Sequence, residues 1–182
     1  MPISFPRLFD NLSHVSGAAF SDWGAMHPLL IHFPIVLLII APVFLLVGLF
    51  LKGHRLAIYA CALALILLGT ASLYIAASSG ETAAEGLTQM NADALATFEK
   101  HYELAELTEK IFLALSLIAC VLFILYYRAH QNLSQGLQMS AALTFLGLYT
   151  LGLIFMLNAA HYGGELVHHH SIHTNLYQGH QH

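Results

Sequence analysis

The chain has 182 residues, of which 58% are hydrophobic and only 9% charged, with a net charge of −4 and a mean hydropathy of +0.69. Soluble domains carry about 25% charged residues, so this balance excludes a soluble globular protein, and the low content of Lys and Arg excludes a nucleic-acid binder. The composition is that of an integral membrane protein.

Residues 1–26 contain no basic start followed by an apolar core, so no cleavable leader is expected and the first span serves as its own signal. Phe5, Leu8, Phe9, Leu12 and Val15 recur at helical spacing, with Pro6 suited to a first turn. A surface helix is expected there, with Trp23 as its interfacial anchor.

A bilayer core about 30 Å thick needs roughly 20 apolar residues per helix, and four runs qualify. They are residues 28–51, 56–77, 111–127 and 137–160. The fold class is therefore all-α, an integral membrane four-helix bundle over residues 27–173, followed by a His-rich tail at 174–182. The connection before the third span, from an Asn91 cap through "NADALATFEKHYELAELTEK", reads as a helix continuous with that span. Its stripe of His101, Leu104, Ala105, Thr108 and Phe112 faces the bundle, and Glu99, Glu103, Glu106 and Glu109 form a solvated acidic face.

Lys52, Arg55 and Arg128 sit in the two short connections, which hold no acid. Positive residues in short loops mark the cytoplasmic side. Both termini and the long middle connection are therefore expected outside, on the periplasmic face of a bacterial inner membrane that the chain crosses several times. That arrangement gathers His27, His32, His101 and the run from His161 to His173 at the outer side.

His32 lies inside the first apolar run, where ionisable residues are rare, face the protein interior and mark function. His27 lies five residues earlier and so about 140° away around the helix, so the two need not bind the same thing. Pro34 cannot donate to the carbonyl of Leu30 and loosens the helix beside His32. At the end of the fourth span Asn158, His161, Glu165 and His168 fall at i, i+3, i+7 and i+10, one stripe if the helix continues past Gly163 and Gly164. Those glycines either end the helix or leave room for a flat ring. A neutral imidazole is the usual protein ligand of haem iron, zinc and copper, and its second nitrogen needs a partner such as Asn158 or Glu165. Cys61 and Cys120 lie within spans and read as packing residues.

"HPLLIHFPIVLL" at 27–38, "GT" at Gly69 and Thr70, His101 after the acidic connection and "HYGGELVHHHSIH" at 161–173 resemble the bacterial predicted membrane proteins called domain of unknown function 2231. That family is similar to small four-helix cytochrome-like modules, found beside or fused to c-type cytochrome or Rieske-type domains. The resemblance implies a redox-chain setting and a b-type haem, carried at His27, His32, His101 and His161.

The expected function is electron transfer between periplasmic carriers and a larger respiratory or photosynthetic complex or a quinone, through one or two haem b groups in the bundle. The first axial pair is His32 with His161, and the second is His101 with His27 or His168. Gly163, Gly164 and Asn158 shape the surroundings. Two alternatives stand beside it. One is a copper or zinc protein using His32, His161, His101 and Glu165, and the other is a structural subunit of a membrane complex. Expected partners are lipid, a c-type cytochrome or Rieske-type protein, a quinone and further subunits, with no nucleic acid.

Overall fold

The computed structural model describes residues 22–85, 87, 90–129 and 132–172. The surface helix expected in residues 1–21, His130, His173 and the tail lie outside the described residues. Four long helices account for nearly everything described: α1 Gly24–Phe50, α2 Arg55–Glu85, α3 Ala92–Ala129 and α4 Gln135–His168. Each is long and apolar enough to cross a membrane. No strand occurs among the described residues. This is an all-α, multi-pass membrane bundle, in which α1 packs on α2, α2 on α3, α3 on α4 and α4 back on α1. Helices α1 and α3 thus stand diagonally opposite.

The helices run further than the apolar runs. α2 goes on to Glu85, eight residues past the expected end at Ala77, and α4 continues through Gly163 and Gly164 to His168. α3 is one helix as expected, and the Asn91 side chain accepts from the Ala94 amide at 2.8 Å. α1 opens with a 3-10 turn at Gly24–Met26 and breaks at Ile31, between His27–Leu30 and His32–Phe50. Pro34 explains the break, because residue 34 has no N–H to close the turn on Leu30.

A second proline has a clear structural consequence. Pro42 lies inside α1 and leaves the carbonyl of Leu38 without its usual helical donor. The hydroxyl of Tyr149, a fully buried residue of α4, donates to that carbonyl at 3.0 Å. The defect in α1 thereby becomes a link between α1 and α4.

Arg55 also departs from its expected part as a loop charge. It is buried, and its guanidinium donates to Gly48 O at 2.9 Å and Leu49 O at 3.0 Å, closing the C-terminal carbonyls of α1. Thr70 and Ser116 join α2 to α3 through a buried hydroxyl pair at 2.8 Å. Cys61, expected to pack inside, is exposed.

The core reveals a repeat. His27, Pro34, Leu38 and Ala41 of α1 and His101, Thr108, Phe112 and Leu115 of α3 share offsets of 7, 11 and 14 residues, and apart from the half-buried histidines all are buried. On the partner helices Gly69, Ala76 and Gly80 match Gly152, Ala159 and Gly163 at offsets of 7 and 11. Gly69 receives Leu38, and Gly152 receives Leu115, Ile111 and Phe112. The hairpins α1–α2 and α3–α4 are packed alike and stand around a pseudo-two-fold axis along the bundle.

Candidate functional site: a histidine pair facing one cavity

The repeat places His27 and His101 in equivalent positions. His27 Nδ1 lies 2.9 Å from the Ala76 carbonyl oxygen and 3.1 Å from Ser79 Oγ. The Ser79 hydroxyl itself donates to Ala76 O at 2.7 Å, so both neighbours of Nδ1 act as acceptors. His101 Nδ1 lies 2.8 Å from the Ala159 carbonyl, which can only accept. In both rings Nδ1 therefore carries the proton, and in the neutral imidazole the lone pair sits on Nε2. A backbone carbonyl holding Nδ1–H is the arrangement that orients a metal-ligating histidine and raises its basicity.

The opposing backbone is cut back to fit each ring. A β-carbon at Gly80 would lie 2.9 Å from His27 Cε1, and one at Gly163 would lie 3.0 Å from His101 Cε1. Gly163 thus has the use expected of it, close approach of a flat ring, while Gly164 has open space beside it. Both histidines line one cavity of about 580 Å³ at the end of the bundle that carries His168. Its walls are apolar and aromatic, with Ala77, Ala84, Leu166 and the stacked pair Phe98 and Tyr102. Glu81, Glu106 and Glu109 also line it, and Glu106 is held by Lys110 at 2.7 Å. The expected acidic face of α3 thus reaches the cavity on one side.

The other expected site residues lie elsewhere. His32, His161 and His168 are exposed, Glu165 is half-buried, and none of them lines the cavity. His32 does not face the bundle interior because Pro34, Leu38 and Ala41 occupy that side of α1, about 140° round from His32 and in line with His27. The stripe Asn158, His161, Glu165 and His168 does form on a continuous α4, but it looks away from the core. Asn158 spends its amide on Ile154 O at 2.7 Å and supports neither ring. No three His, Cys, Asp or Glu side chains converge to hold a metal ion among the described residues. His32, His161, His101 and Glu165 are therefore not gathered into one centre. His170 bonds Thr97 at 3.3 Å and ties the end of α4 to α3.

Ser79, Ala76, Ala159 and Gly80 were missed by the reading of the sequence. The available signal was the pattern Gly-x6-Ala-Ala-x2-Gly, present at 69–80 and again at 152–163.

Two imidazole donors of this kind suit haem iron or another metal. Two imidazoles with Nδ1 engaged and Nε2 available approach one cavity from diagonal helices, and its volume falls within the roughly 300–1,000 Å³ of cofactor sites. A second cavity of about 380 Å³ at the opposite end, with Tyr59 and Tyr126 in its wall, is almost wholly apolar and has no histidine among the described residues that line it.

Fold and site together define a membrane four-helix bundle with a half-buried histidine pair at one end. The chain belongs to the predicted membrane protein family DUF2231, which it matches over residues 24–176. No curated protein and no solved structure matches it.

Proposed function

We propose that the chain is a b-type haem protein of a bacterial inner membrane, in which His27 and His101 would hold the haem iron. The supporting observation is the equivalence of the two rings: each has Nδ1 fixed by a carbonyl, a glycine against its edge and a place in the wall of the same cavity. A haem b held there would supply one-electron chemistry, and holding it through both imidazoles would favour electron transfer over catalysis.

The protein's own groups do the positioning. Ala76 O and Ala159 O hold the rings in one tautomer and one orientation. The apolar part of the wall would receive the body of a macrocycle, and Phe98 and Tyr102 offer it flat surfaces. Glu81 and Glu109, which unlike Glu106 are not paired with Lys110, put carboxyl groups beside the cavity, and where ionised they would favour the oxidised form of a bound haem.

With Lys52 and Arg128 cytoplasmic, the cavity opens toward the periplasm, where a c-type cytochrome or Rieske-type protein is the natural partner. A structural-subunit reading draws on the same two hydrogen bonds, which tie α1 to α2 and α3 to α4 at a modest gain of about 0.6 to 2 kcal/mol each. The two readings separate in one experiment. An absorption spectrum of purified protein and of native membranes, oxidised and then dithionite-reduced, shows a sharp reduced b-type band on the haem reading. Purified protein without that band, together with a b-type membrane signal that is unchanged when the chain is deleted, contradicts it and leaves the structural role.

A further inference from the structure

The cavity at the end away from the histidines is a slot. It reaches from Ile66, Ala119 and Phe145 to Ala129, Leu133 and Leu137, and on α3 the stretch from Ala119 to Ala129 is about 15 Å long. Its 380 Å³ spread over that length leaves a section of about 25 Å², which suits one extended hydrocarbon chain and is too narrow for a macrocycle. The Tyr59 ring lies against Gly48 of α1, where a β-carbon would collide with it, and meets the edge of Tyr126 at 5.3 Å between centroids. Both rings therefore wall the slot instead of filling it.

Its mouth is basic. Arg55 is buried one turn before Tyr59, and besides the carbonyls of Gly48 and Leu49 its guanidinium reaches Oε1 of Gln138, a residue of the slot wall, at 3.4 Å. Arg128 is exposed one turn beyond Leu125, another wall residue. The stretches 26–80 and 111–164, within which this whole end lies, contain no Asp or Glu. Among the described residues no carboxylate pairs with either arginine. Guanidinium does not deprotonate in proteins, and neutral carbonyls offset only part of the cost of taking its charge out of water. Tyr59, Tyr126 and Tyr127 stand at the same level, where aromatic rings gather at the headgroups of a bilayer.

We propose that this slot binds one acyl chain of an acidic phospholipid, with the phosphate beside Arg128 and in the field of Arg55. The apolar length takes the chain, and the unmatched positive charge selects the head. A zwitterionic lipid fits the slot equally well but brings a cation that the arginines repel. A quinone brings a neutral head that leaves their charge unmatched. The inference is independent of the haem, because none of these residues lines the histidine cavity.

The test is native mass spectrometry of the purified chain released from nanodiscs of equal phosphatidylglycerol and phosphatidylcholine, with any quinone in the same sample identified after solvent extraction. The wild type is expected to retain one phosphatidylglycerol, with a preference of about tenfold over phosphatidylcholine. Arg128→Gln, at an exposed position, is expected to lower that preference by about fivefold. Ala142→Phe, which fills the slot, is expected to abolish retention of either lipid. No lipid retained by the wild type, equal retention of the two lipids, a quinone in place of phospholipid, or retention indifferent to Ala142→Phe overturns the proposal. Ala142→Leu, a smaller insertion, repeats the slot test if the phenylalanine variant fails to fold, and the wild-type preference and Arg128→Gln leave the core untouched.

Discussion

The tautomer of a histidine is set by what touches Nδ1, and here that contact is what singles out two rings for the proposed haem site. His27 and His101 point Nδ1 at carbonyls, which leaves Nε2 for the cavity. Because both rings rest on glycine, they are sensitive to a single added side chain. Gly80→Val is expected to push His27 aside, lowering haem content by more than half and stability by about 1–3 kcal/mol, the usual cost of overpacking. Pyridine haemochrome quantitation and thermal unfolding of the purified variant check both numbers. Gly164→Val, next to open space, is expected to leave haem content unchanged in the same assay.

At the scale of elements, the bond from Tyr149 to the carbonyl freed by Pro42 gives a sharper expectation than burial alone. Tyr149→Phe strands a buried acceptor and is expected to cost about 1–3 kcal/mol. Pro42→Ala restores an N–H that closes on Leu38, so in that background the loss on Tyr149→Phe is expected to shrink by more than half. A double-mutant cycle of chemical unfolding in mild detergent measures the coupling. Arg55→Met leaves the last carbonyls of α1 open and is expected to cost a similar amount, which the same unfolding assay reads.

The spans, the Asn91 cap and the break near Pro34 were legible from the sequence, because hydropathy, capping and proline act locally. The rotation of each helix was not. In lipid the outside of a bundle is as apolar as its core, so periodicity does not mark the inner side as it does in a soluble protein. His32 looked interior on the general rule for membrane-buried ionisable groups, yet small and branched residues at 34, 38 and 41 claim the inner side and carry His27 with them. The helices also outran their apolar runs: α2 continues through Ser78, Ser79 and Gly80 and α4 through Gly163 and Gly164, where packing against neighbouring helices outweighs weak helix propensity.

At the scale of the whole molecule, the two hairpins form a pseudo-two-fold assembly in which the histidines occupy matching places. This accounts for a pair drawn from α1 and α3, helices that barely touch, and it implies that neither ring is subordinate. Single replacement of either is expected to have the same consequence for the site. The measurement that tests this most directly is a reduced-minus-oxidised difference spectrum of native membranes carrying His27→Ala, His101→Ala, His32→Ala or His161→Ala, at matched protein level. The account predicts that the part of the b-type signal that disappears on deleting the chain is abolished or converted in the first two and retained in the last two. Haem kept in His27→Ala and His101→Ala, or lost in His32→Ala and His161→Ala, would contradict it.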